Sequence, residues 1–218
     1  MVLLVSEIYR AILGESSESG RLCVIVRLTG CHRRCVYCDS AHAFHGGTRR
    51  DLPSLLVEVA GHGCRTVLVT GGEPLLQSGT PALLAALTAA GHRVVLETSG
   101  TLGTVGLAVV PAGVRRVVDV KTPGSGLDPA VIDWEGVRGL GSGDEVKFVI
   151  CDRAGYLWAR DLVRAGGRLP AATDVLFSPA APGVAPQELA EWILTDRLDV
   201  RFQVQLHRLL WPGCERGR

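Results

Sequence analysis

Three cysteines, Cys31, Cys35 and Cys38, stand at Cys-x3-Cys-x2-Cys spacing inside Gly30-Cys31-His32-Arg33-Arg34-Cys35-Val36-Tyr37-Cys38-Asp39. Such spacing can gather three soft thiolates in one short loop and leave one metal position open, as a reactive iron–sulfur site would. A structural zinc site is the competing assignment: it closes a tetrahedron with four protein ligands, and His32, His42, His45 or Asp39 could supply the fourth. A redox dithiol needs only two of the three cysteines. Spacing alone does not separate the iron–sulfur and zinc assignments.

The elements that position this loop are bounded first by size. The chain has 218 residues, which suggests one domain over 1–218, burying roughly 70% of its unfolded surface. A net charge of +1, with no basic run longer than a dipeptide, gives no field for nucleic acid or an anionic membrane. The start, Met1-Val2-Leu3-Leu4-Val5-Ser6-Glu7, is charged too soon for a signal peptide. No apolar run approaches the ~20 residues of a membrane span, so a cytoplasmic protein is expected. Seven cysteines, an odd number, argue against a disulfide framework. Cys23, Cys64, Cys151 and Cys214 are scattered and read as small apolar residues.

Short β-rich runs at 22–28, 66–69, 94–97, 117–120, 146–150, 175–177 and 202–205 alternate with helical patterns. Most are nearly continuous apolar runs, as parallel strands buried on both faces tend to be. Leu52, Leu55, Leu56 and Val59 recur at helical spacing behind Asp51, an N-cap candidate. Thr80-Pro81 opens a second helix, which stops at Gly91, and segments 154–165 and 186–194 read as further helices. Residues 103–113 carry no helical pattern. The class is α/β, best fitted by an incomplete parallel β/α barrel. An open doubly wound sheet is the alternative, but no Gly-rich dinucleotide fingerprint accompanies it.

The polar motifs follow the strands. Cys31 to Asp39 follows the first, Thr70-Gly71-Gly72-Glu73-Pro74 the second, Glu97-Thr98-Ser99-Gly100 the third and Asp119-Val120-Lys121-Thr122-Pro123 the fourth; Ser178-Pro179 and Gln205-Leu206-His207 follow later ones. Singly, Gly71-Gly72 could be a tight turn, Lys121 a loop charge and Glu97 a capping group. Together they lie on the face where parallel α/β barrels build active sites.

The cysteines, Tyr37 before the third of them, and Thr70-Gly71-Gly72-Glu73-Pro74 resemble the radical S-adenosylmethionine (SAM) superfamily. Within it the chain resembles the 7-carboxy-7-deazaguanine synthase family of queuosine and 7-deazapurine biosynthesis. The added likeness lies in Glu7-Ile8-Tyr9, Gly14-Glu15, Arg27, Cys38-Asp39-Ser40, Glu97-Thr98-Ser99-Gly100, Lys147-Phe148-Val149-Ile150 and Gln205-Leu206-His207. The resemblance implies an incomplete barrel with a reduced helix complement. It also implies a 4Fe–4S cluster on Cys31, Cys35 and Cys38, with SAM chelating the fourth iron and giving a 5′-deoxyadenosyl radical. SAM contacts are implied at Tyr37, Cys38, Asp39, Gly72, Glu73, Thr98, Asp119, Lys121 and Ser178. At Gly72 the backbone could approach closely, and the Glu73 carboxylate could accept from the SAM ammonium group.

The implied substrate is 6-carboxy-5,6,7,8-tetrahydropterin. The radical would take its C6 hydrogen, and ring contraction with loss of ammonia would give 7-carboxy-7-deazaguanine. Ile12, Leu13, Gly14, Glu15, Arg27, Thr70 and His207 are its implied contacts. Arg27 also stands on its own chemistry: a guanidinium ending an apolar strand needs a bidentate partner, a substrate carboxylate or else a salt bridge to Glu15 or Asp39. A lone histidine such as His207 is more often structural. Mg2+ is implied at Ser40, where it would clamp the substrate carboxylate. An electron donor such as flavodoxin or ferredoxin and a homodimer are implied as partners. Leu13 and Ser16 depart from the family pattern of glutamine and glycine, so a contact at Leu13 would use backbone. The chain runs on past Pro212 through Gly213 to Arg218, so the terminal-carboxylate contact of some relatives does not carry over. A glycyl-radical activating enzyme and a non-enzymatic zinc module are the alternatives; Arg27 and the Gln205 to His207 ending weigh against the first, and Gly71-Gly72-Glu73-Pro74 against the second.

Overall fold

The computed structural model describes residues 1–214, 216 and 217. Among the described residues, nine strands form one sheet in the order β3-β1-β2-β4-β5-β6-β7-β8-β9. β1 (Val2–Ile12) and β3 (Thr48–Asp51) pair antiparallel, and β1 pairs antiparallel with β2 (Leu22–Leu28). From β2 the sheet runs parallel through β4 (Thr66–Gly71), β5 (Arg93–Thr98), β6 (Arg115–Asp119), β7 (Glu145–Ile150), β8 (Asp174–Pro179) and β9 (Arg201–Phe202). β3 and β9 are the free edges, so the sheet curls without closing as strands.

Both faces of the parallel strands are used, which explains their continuous apolar reading. Ile25, Arg27, Leu68, Thr70, Val95, Glu97, Val117, Asp119, Lys147 and Val149 line the lumen. The residues between them alternate outward. Val24, Val26, Val67, Val69, Val94 and Leu96 pack on α1 (Leu52–Gly61) and α2 (Thr80–Ala89). Val118, Val146, Phe148 and Phe177 form a second core with α4 (Trp134–Arg138), α5 (Arg153–Ala165) and α6 (Pro186–Asp196), flanked by α3 (Thr104–Ala108). Asp51 caps α1 by accepting from the Ser54 N–H at 2.8 Å, and Asp152 caps α5 by accepting from Gly155 at 2.7 Å.

Three expectations need correction. β1 and β3 are additional: a register shift between Val5 and Glu7 breaks the period-two pattern that would have revealed β1. The last strand ends at Phe202; the Gln203 N–H still donates to the Phe177 carbonyl at 2.9 Å, and its side-chain amide turns to the Ser16 backbone. Residues 103–113 do contain a helix, α3, but at five residues it is too short to show periodicity; α4 and α7 (Leu206–Leu210) escaped for the same reason.

The open seam is bridged by the β1–β2 turn. The Ser16 N–H donates to Gln203 Oε1 at 2.8 Å, Gln203 Nε2 donates to the Ser16 carbonyl at 2.6 Å, and the Leu206 N–H donates to the Gly14 carbonyl at 3.1 Å. Gly14 has to be small, since a Cβ there would lie 2.7 Å from His207 Nδ1. Beneath the turn, Ser17 and Arg115 bind the buried Glu145 carboxylate, and Arg93 bonds Glu18 at 2.9 Å. No helix among the described residues is long and apolar enough to cross a membrane.

Phe148 is fully buried and meets Phe177 and Trp158 edge-on at 5.4 and 6.2 Å. Phe148→Ala should therefore lower stability by about 3–5 kcal/mol, read as a lower denaturant midpoint at unchanged slope.

A candidate cofactor and substrate site at the strand carboxyl ends

One cavity of about 540 Å³ occupies the lumen and its mouth. Cys31, Cys35 and Cys38 line it, and all seven cysteines are free. Their loop is tied to three others. The Glu73 N–H donates to the Gly30 carbonyl at 2.7 Å, the Val36 N–H to Ser125 at 3.0 Å, and Arg33 Nη2 to the Thr101 carbonyl at 3.1 Å. Burial pushes the Cys35 and Cys38 thiols up, opposed by Lys121 at Cys35 and by a Ser40 backbone hydrogen bond at Cys38. A metal that takes them as thiolates would reverse that preference. Three of the four candidate zinc donors are engaged elsewhere: His32 Nε2 bonds Thr101 Oγ1 at 2.9 Å, His42 bonds Glu7 at 3.0 Å and Asp39 bonds Ser40 at 2.9 Å. Among the described residues no three His, Cys, Asp or Glu converge on one ion. A 4Fe–4S cluster, which takes each thiolate on a different iron, does not require them to.

Gly72 leaves room where the thiol loop crosses it. A Cβ at Gly72 would press into the Gly30 carbonyl and lie 2.7 Å from Cys31 Cβ. Glu73, a candidate ligand contact, is 1% exposed, and its carboxylate is bonded from within the protein. Its carboxylate accepts from Thr98 Oγ1 (2.7 Å), Leu75 N–H (3.1 Å), Ser99 N–H (2.8 Å) and Ser99 Oγ (2.6 Å). Those four donors fill it, so Glu73 ties the β4 and β5 loops together, with Thr98 as one of the ties.

Asp119 and Lys121 pair at 2.8 Å, and the Lys121 ammonium lies 5.4 Å from the Tyr37 ring centre. Burial pushes the Tyr37 hydroxyl up, against the pull of Lys121. Tyr37 Oη, Asp119 Oδ1 and Ser178 Oγ are buried without a partner among the described residues. Unpaired buried polar atoms are expensive, and those of Tyr37 and Asp119, which line the cavity with the thiols, fit a polar cofactor there. Ser178 itself is not among the lining residues, whereas Ala180 and Ala181 just after it are.

Across the lumen, Arg27 corrects the expected salt bridges to Glu15 or Asp39. Its Nε donates to Glu7 at 2.8 Å, Nη1 to Ser40 Oγ at 3.0 Å and Nη2 to the Tyr9 hydroxyl at 3.3 Å. Ser40 also donates to Asp39 Oδ1 at 2.9 Å. Burial would raise the Asp39 carboxyl, but hydrogen bonds from His207 and Ser40 outweigh it and hold the group well below the usual carboxylate range. His207 faces the cavity 3.7 Å from Asp39 and is not a stray terminal residue. Ile12, Leu13, Gly14, Glu15 and Thr70 also line the cavity. Leu13 cannot offer free backbone readily, since its N–H bonds Arg21 and its carbonyl bonds Gly20.

Several lining residues were not singled out as ligand contacts. Lys147 Nζ bonds Glu15 and Glu97 and lies 3.6 Å from Asp119. Its signal was a lysine inside an otherwise apolar strand. Gln205 bonds Glu15 at 2.6 Å and Asp39 at 3.3 Å. Trp211, Gly213 and Cys214 also wall the cavity, so Cys214 is not merely a scattered apolar residue.

Residues 25–122 match the family model described as "Radical SAM superfamily". A 7-carboxy-7-deazaguanine synthase of Koribacter versatilis is 42% identical over 98% of this chain and 99% of its own. The chain belongs to the 7-carboxy-7-deazaguanine synthase family. Another member, from Chlorobaculum tepidum, is 39% identical over 99% of this chain and 97% of its own. The crystal structure of QueE from Escherichia coli shares the fold, with a TM-score of 0.74 over 94% of each chain at 19% identity. As a radical SAM family it uses a 4Fe–4S cluster and SAM, and the three cavity thiols and orphaned polar atoms suit both.

Gly72→Ala tests the close approach of these loops. It should lower iron and sulfide content after reconstitution by at least about half, with far-ultraviolet circular dichroism unchanged.

Proposed function

We propose that this chain converts 6-carboxy-5,6,7,8-tetrahydropterin to 7-carboxy-7-deazaguanine with loss of ammonia, as a step of queuosine or other 7-deazapurine biosynthesis. The observation that carries the reading is full-length identity of 42% to a synthase of that name. A cavity that joins the thiol loop to Arg27 and Glu15 supports it. Bound cofactors would supply the radical, through one-electron cleavage of SAM on a cluster held by Cys31, Cys35 and Cys38.

The protein's work is to bind, orient and exclude water. Gly72, Tyr37, Cys38, Asp39, Thr98, Asp119, Lys121 and Ser178 surround the SAM side, Thr98 acting through Glu73. Arg27 is held rigidly by Glu7 and Tyr9 and keeps an N–H on each terminal nitrogen for a substrate carboxylate. Thr70, His207 and the turn 12–15 enclose the pterin. Ser40 offers an oxygen beside the Asp39 carboxylate, a donor set suited to Mg2+, which would replace the Arg27 hydrogen bond there.

A flavodoxin or ferredoxin would deliver the electron past the exposed Val36 and Arg34 of the thiol loop. Seven free thiols suit the reducing cytoplasm. A homodimer follows from the family resemblance, and light scattering reads it.

The reconstituted protein, incubated without oxygen with SAM, reductant, Mg2+ and the carboxytetrahydropterin, should yield 7-carboxy-7-deazaguanine by mass spectrometry. Deoxyadenosine without that product would redirect the search to another substrate, including a protein radical site. Ser40→Ala should weaken the Mg2+ dependence of turnover and leave the iron absorption intact; an unchanged Mg2+ response removes Ser40 from the metal site.

A further inference from the structure

Helix α7 and the turn after it form one side of the cavity, with His207, Arg208, Trp211, Gly213 and Cys214 among its lining residues. No residue of α7 is fully buried, so apolar packing does not fix its place. Polar ties to the cavity rim hold it instead. The Leu206 N–H donates to the Gly14 carbonyl at 3.1 Å, Gln205 Nε2 donates to Glu15 at 2.6 Å and to Asp39 at 3.3 Å, and His207 lies 3.7 Å from Asp39. Such a segment is a strap, fastened to the rim of the site rather than to the core.

Trp211 is the large apolar side chain that this strap turns inward. Its N–H donates to the His207 carbonyl at 2.9 Å, so it stands one turn beyond His207 on the face that lines the cavity. Leu209 and Leu210 point the other way, 63% and 52% exposed. Trp134, Trp158 and Trp192, by contrast, pack in the second core. Arg208 Nε is buried without a partner among the described residues, a donor that the surroundings of the strap do not satisfy. Deeper in the lumen, Ile25, Leu68, Val95 and Val117 stand two residues before Arg27, Thr70, Glu97 and Asp119 on the same four strands. An apolar layer therefore underlies a polar row. A flat heterocycle has a polar edge and two apolar faces; the row suits the edge and the layer suits one face.

We propose that Trp211 is a substrate-covering residue, carried at the end of the α7 strap, which lays its indole over the remaining face of the pterin ring. This deepens the proposed function, on whose substrate class it rests. Offset stacking of an indole on a heterocycle adds to the apolar area it buries. Covering that face also keeps water from the bound ring, as a closing lid does. Gln205 and His207 fasten the strap to Glu15 and Asp39, which border the pterin side of the cavity, so the indole is delivered where the ring lies.

Calorimetry on the cluster-loaded protein with SAM present tests this, with 6-carboxypterin as a probe that cannot turn over. Trp211→Ala should weaken pterin binding about tenfold. Trp211→Phe, which keeps a flat ring, should restore it to within about threefold, and SAM affinity should stay within about twofold in both. Leu209→Ala, on the outward face of the same helix, should bind the pterin as the wild type does, which separates the indole from the helix that carries it. Should Trp211→Ala fail to fold, Trp211→Leu decides, with binding at least about fivefold weaker because the flat face is gone. Wild-type pterin affinity in the deciding variant, equal loss of pterin and SAM, or an equal loss in Leu209→Ala overturns the inference. No pterin binding by the wild type instead overturns the proposed substrate itself.

Discussion

A lysine ammonium inside a β-sheet lumen is the constraint around which this structure is arranged. Taking such a charge out of water carries a penalty of several kcal/mol unless it is well paired. Lys147 is paired by carboxylates from the β1–β2 turn, β5 and β6. Burial would lower its pKa, but Glu15, Glu97 and Asp119 outweigh that and hold it well above the ordinary lysine value. The charge therefore persists across neutral pH. No single element could satisfy it, so the sheet must curl far enough for β5 to face β7, and the turn must fold across the seam. The charge at the centre and the shape around it specify each other.

A second set of ties acts at the mouth. Glu73 spends its carboxylate on the β5 loop while its backbone N–H holds Gly30. Gly72 thereby lies against the thiol loop with no room for a side chain. The loop that presents the cysteines is set by buried hydrogen bonds of its neighbours, more than by any regular structure of its own. Strand parity completes the division of labour: inward positions carry the chemistry, and outward ones bury against helices.

Much of this was legible in the sequence because it is local. Seven strands with their following motifs, the Asp51 cap and the cysteine spacing all lie within short windows. What escaped depends on contacts distant in sequence or on phase. β1 was hidden by its bulge, and with it Glu7, the partner Arg27 has 20 residues away. Glu73 sits in a motif that shows a carboxylate but not which way it turns. Lys147 looked like one lysine in an apolar run, because its partners stand 132 and 50 residues away. Its significance exists only once the sheet has curled.

The two departures in the turn show which of its properties the fold requires. Leu13 buries among Ala11, Cys23 and Ile25, while its backbone closes the turn on Gly20 and Arg21. An amide there is dispensable to the turn's conformation. Ser16 occupies the left-handed region at φ 75°, where glycine would be unstrained. It is held there by the Gln203 amide on its backbone, and its own Oγ accepts from the Glu18 N–H. A side chain is thus tolerated at a glycine-like position because three hydrogen bonds over-determine it. The turn is kept for its backbone path, which delivers Glu15 to Lys147.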